Sequence, residues 1–265
     1  MSSASLITVD DDSSAPRGSD ILCKGSFLSL CLLALAGMVH SAPVVQKEAV
    51  PSVDEILVRM KYHDEWQQRY LLEYRAQRKF HAANLRFNED ATLEVMTTFR
   101  RPYTLESYVL RAEGSKVIRE RVFNKILEAE TEIESGAARQ QVDIVPENYT
   151  FSYIGIEDCA GRKCYTLGIT PKRKEKYLIE GQIWVDAEDW GIVRVHGYPA
   201  KRPSFWTRKI EIDRRYKRVA GMWLSDSTES ISDILVAGPS TLHIQYSYEA
   251  VQTDTTMDRL SSTNP

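Results

Sequence analysis

From Thr150 onward apolar and polar residues alternate with a period of two, run after run, and this alternation limits the fold more than any other feature. Leu242, Ile244, Tyr246 and Tyr248 point one way, while Thr241, His243, Gln245, Ser247 and Glu249 point the other. Trp206, Ile210, Ile212 and Tyr216 share a face, and Thr207, Lys209, Glu211 and Asp213 share its reverse. Successive side chains of a strand lie on opposite sides, so such runs are strands of a sheet with one wet face. Tyr177, Ile179, Ile183 and Val185 also alternate, but their partners Leu178 and Trp184 are large and apolar, which predicts cover on both faces. Strands do not alternate with helical stretches, so a parallel doubly wound sheet is excluded.

The part before Thr150 changes period twice. Ser52 and Glu55 form a capping-box pattern, and Val53, Ile56, Leu57 and Met60 follow at helical spacing, which predicts an amphipathic helix over 52–67. Leu71 to Leu85 reads as a strand, Asn88-Glu89-Asp90 as a turn, and Leu93, Val95, Thr97 and Phe99 as a further strand continued past Pro102 by Tyr103, Leu105 and Val109. Over 116–135 a second helix is expected, with Ile118, Val122, Ile126, Ala129 and Ile133 on one side and Glu128, Glu130, Glu132 and Glu134 on the other. The sum is a mainly β chain with some helix and roughly nine to eleven antiparallel strands.

Residues 1–42 read as an N-terminal extension and export signal. Lys24 precedes Phe27–Val39, an apolar run of 13 residues. That is short for a spanning helix, which needs about 20 residues, and matches the core of a signal peptide. Val39-His40-Ser41 and Ala42 offer cleavage sites; if the run is not cleaved it anchors the chain instead. Bulky Leu30 before Cys31, and Ile21-Leu22 before Cys23, argue against lipid attachment. The expected compartment is the periplasm, where a disulfide is permitted. Cys159 and Cys164 flank Gly161 between two apolar stretches, which suggests a clip across a hairpin; a pair of reduced thiols, one buried, is the alternative.

The composition offers little catalytic chemistry. The formal net charge is −3, with 34 basic and 37 acidic residues, which gives no support for a nucleic acid partner. The histidines at 40, 63, 81, 196 and 243 show no ligand spacing. No nucleophile elbow, phosphate loop or dinucleotide fingerprint is present, so no cofactor, metal or catalytic residue is expected. Asp186, Glu188 and Asp189 read as a solvated turn. Lys172-Arg173-Lys174, with Lys176, forms a basic loop that either keeps the sheet soluble or meets anionic lipid head groups. Trp184, Trp190, Trp206 and Trp223 supply large apolar area to a core or to a pocket.

The block Gly181-Gln182-Ile183-Trp184-Val185-Asp186-Ala187-Glu188-Asp189-Trp190-Gly191-Ile192-Val193-Arg194-Val195 resembles the periplasmic lipoprotein-sorting superfamily of LolA/LolB-like carriers, in a bacterial branch of uncertain function. Cys164-Tyr165-Thr166-Leu167, Pro171-Lys172-Arg173-Lys174 and Pro203-Ser204-Phe205-Trp206 extend the likeness. The resemblance covers about 50–250 and implies a strongly curved antiparallel sheet forming an unclosed β-barrel covered by helices, so one domain is expected over 43–250; the largely polar residues 251–265 read as a flexible tail. The resemblance also implies an apolar cavity for lipid or lipoprotein acyl chains, with transient membrane contact, or else an envelope sensor or scaffold that binds a protein partner. On that plan Leu242, Ile244, Tyr246 and Tyr248 line the cavity with Trp206, Ile210, Ile212 and Tyr216. Ile126 and Ile133 cover it, and Lys172, Arg173 and Lys174 steer an anionic head group at the rim.

Overall fold

The computed structural model describes residues 50–102, 104–134, 137–202 and 207–254. The export run, Trp206 and the tail beyond 254 lie outside them, and no helix among the described residues is long and apolar enough to cross a membrane.

Helix α1 spans Val53–Tyr70. The Ser52 hydroxyl accepts the Glu55 N–H at 3.2 Å, satisfying one of the orphan donors of the first turn. Three strands follow: β1 (Leu71–Asn84), β2 (Glu89–Arg100) and β3 (Thr104–Gly114). The second helical segment is broken into α2 (Lys116–Ile118), a π-helical turn over Arg119–Phe123, α3 (Asn124–Glu134) and α4 (Ala137–Gln140). The chain then runs through β4 (Tyr149–Cys159), β5 (Arg162–Pro171), β6 (Ile179–Asp186), β7 (Ile192–Pro199), β8 (Thr207–Val219), β9 (Met222–Ile234) and β10 (Gly238–Thr253).

The ten strands form one antiparallel sheet in the order β3-β2-β1-β10-β9-β8-β7-β6-β5-β4. The sheet is not closed: β3 and β4 are its two edges. Because β10 pairs with β1 as far as Thr253 opposite Leu71, the residues 251–253 expected in the tail belong to the sheet.

One register line crosses every strand. Ala112, Leu93, Phe80, Ile244 and Thr228 stand side by side from β3 to β9. Arg214, Val195, Ile183, Leu167 and Tyr153 continue the line to β4. Directly opposed residues share a face, so this line defines one side of the sheet. A second line on the same side joins Leu242, Ser230, Ile212, Gly197, Gly181 and Ile169. Gly181 and Gly197 face each other there, and a Cβ on either would run into the backbone carbonyl region of the neighbouring strand.

Two separate cores stand on this side. Ile56 and Met60 of α1 pack with Tyr149, Tyr165, Leu167, Ile169, Ile183, Val185 and Val195 of β4 to β7. Ile118 and Phe123 of the second helical segment pack with Phe80, Ala82, Ala91, Leu93 and Val95 of β1 and β2 and with Ile244 of β10. The π turn alters the predicted helix face. The Asn124 N–H bonds Arg119 O, five residues back, so the turn carries one extra residue and shifts the phase of the side chains. Phe123, Ile126 and Leu127 therefore meet the core, while Ile133 stands half-exposed outside it.

The reverse side is polar but ordered. Arg194 holds Asp213 at 2.6 Å and lies 4.6 Å from the Trp184 ring, and Trp184 Nε1 donates to Glu157 at 3.0 Å. His196 and Glu211 pair at 3.1 Å on the same side.

Candidate functional site: the uncovered middle of the sheet

The two cores occupy the two ends of one face, and β8 and β9 lie between them. At the described inward positions of β8, Ile210, Ile212 and Tyr216 are half-buried and Arg214 is exposed. The inward residues of β9 opposite these positions are hydroxylic. Thr228 is opposite Arg214, Ser230 opposite Ile212, and Ser232 opposite Ile210. Of these only Thr228 is buried. Among the described residues, a strip of apolar and hydroxyl groups thus runs down the middle of the sheet without the helical cover its flanks receive.

An ion pair borders the strip. Arg78 on β1 is 3 % exposed and grips Glu130 of α3 through Nη1 at 2.8 and 2.9 Å. Its Nη2 donates to Ser107 Oγ at 3.3 Å, and Ser107 and Thr97 share a hydroxyl contact of 2.9 Å. The guanidinium lies 5.2 Å from the Phe80 ring and 5.8 Å from that of Tyr246. Burial opposes the charge on Arg78, but Glu130 and Tyr246 together outweigh it and the pKa is raised. Burial also pushes the Tyr246 phenol up, against the opposing pull of Arg78 and Arg214.

Two clefts flank the π turn. One of about 340 Å³ is lined by Leu105, Ser107, Asn124, Leu127, Glu128, Glu130 and Thr131, so it reaches the two partners of Arg78. The other, about 250 Å³, is lined by Leu93, Val109, Ala112, Lys116, Arg119, Glu120, Phe123 and Asn124.

The structure distributes the residues named from sequence unevenly. Leu242, Ile244, Tyr246, Ile210 and Ile212 do share one face, joined through β9, with Ile126 packed against the same cluster as Leu242 and Tyr246. Ile244 is 4 % exposed and belongs to a filled core, so it lines no space. Tyr248 packs with Leu71, Met222 and Leu224 at one end of the sheet, and Tyr216 sits against the α1 core. None of these residues lines the two clefts.

The basic loop departs from expectation. Arg173 donates to Asn148 Oδ1 at 2.8 Å and to the Gln141 carbonyl, tying down the segment before β4 rather than standing at a rim. Lys172 and Lys174 are exposed, and Lys176 pairs with Glu132 of α3 at 3.3 Å. Cys159 and Cys164 are free thiols. Cys159 is opposite Arg162 and Cys164 opposite Glu157, so the two are set diagonally on the hairpin rather than across from each other. Burial pushes both thiols up.

The acidic turn is structural. Asp186 is fully buried and takes Arg162 in a two-pronged grip while accepting the Glu188 and Asp189 N–H groups at 2.9 and 3.0 Å. Burial opposes ionisation of its carboxyl, yet these donors hold it below the ordinary value. No group of side chains among the described residues is arranged to hold a metal ion.

The sequence reading missed Arg214, Arg78 and Glu130 as a set. Arg214 was visible in principle, because it falls between Ile212 and Tyr216 on the same parity. The Arg78–Glu130 pair spans 52 positions and left no local signal.

Fold and site together define a protein built on one open antiparallel sheet with a half-covered face. Residues 146–254 match the model of a family of unknown function, DUF5686. No curated protein matches the chain. Among solved structures, the chain is similar to a domain from Vibrio parahaemolyticus described as an outer membrane lipoprotein-sorting protein, at 13% identity and a TM-score of 0.40, over 79% of this chain and 95% of that one. A LolA superfamily protein from Nitrosomonas europaea aligns at 10% identity and 0.35, over 80% and 97%. A DUF1329 family protein from Desulfovibrio piger aligns at 16% identity and 0.38, over 76% and 92%. These neighbours include the superfamily that the Gly181–Val195 block resembles.

Proposed function

We propose that this chain is a non-enzymatic periplasmic protein that binds or carries the acyl chains of lipids or lipoproteins on the helix-bearing face of its sheet. The observation behind this reading is the gap between the two cores. In a filled core the central strands would be the most deeply buried; here Ile210, Ile212 and Tyr216 stay half-exposed in the middle of the sheet. Each methylene removed from water contributes roughly 0.8 kcal/mol, so an acyl chain laid along this strip needs no covalent or strongly charged anchor to be retained. Export by the Phe27–Val39 run belongs to the same reading. The test is native mass spectrometry, with lipid extraction, of the protein purified from its own envelope fraction. Co-purifying acyl lipid, reduced by Ile212→Trp, supports the proposal; a lipid-free protein that takes up none on incubation defeats it.

A protein partner is the second reading, and the sheet edges favour it. Tyr108, Val109 and Leu110 on edge strand β3 and Tyr153, Ile154 and Ile156 on edge strand β4 are exposed beside unpaired backbone. Such edges accept an added strand. Proximity crosslinking from β4 in intact cells, yielding one envelope protein at stoichiometric level and no lipid in the purified chain, would favour this reading over the carrier.

A further inference from the structure

Arg214 stands at the centre of the uncovered strip. The line Ile244, Thr228, Arg214, Val195 places it between the two cores, with Ile212 and Tyr216 on either side along β8. The carboxylate next to it in sequence, Asp213, is on the opposite side of the sheet, engaged by Arg194 and Arg215. Among the described residues Arg214 makes no ion pair, and its hydrogen-bonding neighbour is the Tyr216 phenol.

The side chain is exposed to solvent, yet groups on three elements act on it. Tyr216 of β8 is the largest influence holding its charge, against the opposing effect of burial, and Tyr246 of β10 and Glu130 of α3 add to it. Arg214 is exposed while its register neighbours on both sides, Thr228 of β9 and Val195 of β7, are buried. Arg78 is already matched, since Glu130 engages it through two hydrogen bonds, whereas no carboxylate among the described residues grips Arg214 in that way. Arg78 Nε is buried and has no hydrogen-bond partner among the described residues, so a further donor is present beside the pair. The hydroxyls of Thr228 and Ser230 stand next to Arg214 on β9, and no anion-repelling carboxylate shares their row.

We infer that the middle of this face receives the anionic head group of an acyl amphiphile, a carboxylate or a phosphate, with Arg214 as the cation that meets it. The inference rests on the acyl-binding reading above and names the substrate class for it. The head group sits against Arg214 and the Thr228 and Ser230 hydroxyls, and the chain follows the apolar positions Ile212 and Leu242. A guanidinium is suited to this because it presents a planar fork of donors to a carboxylate or phosphate.

The test compares dodecanoate with dodecan-1-ol, which has the same chain without the charge, by titration calorimetry on the delipidated exported protein below micellar concentrations. Wild type is expected to favour dodecanoate by roughly tenfold or more, the usual worth of a hydrogen bond to a charged group. Arg214→Gln brings the two ligands to parity without weakening dodecan-1-ol, and Arg214→Lys retains most of the preference. Arg215→Gln makes the same charge change on the opposite face and leaves the preference intact. Equal affinity of wild type for the two ligands, or loss of the preference in Arg215→Gln as well, overturns the inference and leaves the acyl-binding reading standing. Binding of acetate or inorganic phosphate as tight as that of dodecanoate overturns the amphiphile assignment. Binding of neither dodecanoate nor dodecan-1-ol overturns the acyl-binding reading, and the inference with it.

Discussion

Strands β6 and β8 carry similar alternating patterns and have opposite fates. Along β6, Ile183, Trp184, Val185 and Asp186 are all buried, so both faces are closed. Along β8, Ile210, Ile212 and Tyr216 are half-buried, and Arg214 and Arg215 are exposed. Part of the difference lies in the strands themselves, since β6 is apolar around Ile183, Trp184 and Val185 while β8 carries Arg214 on its inward row. The rest lies in what stands above them: α1 delivers Ile56 and Met60 to β6, while the π turn and α3 deliver Phe123 and Ile126 to β1, β2 and β10. With one helical segment at each end, the centre is left for something else.

The comparison is sharpest in truncations. Ile183→Ala removes a fully buried side chain from the α1 core and should cost about 2–5 kcal/mol in urea unfolding. Ile212→Ala, on the same face, should cost less than about 1 kcal/mol, since a half-exposed side chain leaves no sealed cavity. Equal losses at the two positions would show that β8 is as well covered as β6.

Next in size is the Arg78–Glu130 pair. Glu130→Gln leaves a nearly inaccessible guanidinium without its counter-charge and should cost about 3 kcal/mol by chemical denaturation. The double variant Arg78→Met, Glu130→Leu should recover much of that loss. A Glu130→Gln protein as stable as wild type would show that water already reaches Arg78, widening the open strip to β1.

Overpacking probes free space directly. Ile244→Trp enlarges a side chain in a filled core and should cost about 1–3 kcal/mol. Ile212→Trp should be close to neutral in melting experiments and should lower acyl loading, because it grows into the uncovered strip. Reversed costs would move the gap from β8 to β10.

The mildest test is acid. Asp186 at the end of β6 has its carboxyl held below the ordinary 3.8 by Arg162 and two backbone N–H groups, in spite of burial. Its contribution is therefore complete above that ordinary value and is lost as pH falls through the lower, folded-state value. The urea midpoint of wild type should drop in that acid window, and Asp186→Asn, less stable at neutral pH, should show a shallower drop. No carboxylate on the inward side of β8 takes part, so Ile212 variants should follow the wild-type acid profile.

Much of the scaffold was written locally. Period-two runs place the strands β8 and β10, Ser52 and Glu55 mark the start of α1, and the double-sided apolarity around Trp184 announces the closed faces of β6. The Gly181–Val195 block is recognisable because its residues are constrained by the hairpin itself: Asp186 must meet Arg162 and cap its own turn. Local pattern also fixed which residues share a side, since a strand's parity is set by backbone geometry alone.

Which side chains were left uncovered was decided only in three dimensions. That outcome depends on where the helical segments land, and on a π turn that shifts Phe123 and Leu127 inward while Ile133 stays outside the core. The pairing of Arg78 with Glu130 across 52 positions, the commitment of Arg173 to Asn148, and the isolation of Arg214 between two cores have no signature in spacing. Charges separated along the chain become neighbours only through sheet order and helix placement, and the free energy of each depends on the partners and burial it finds there.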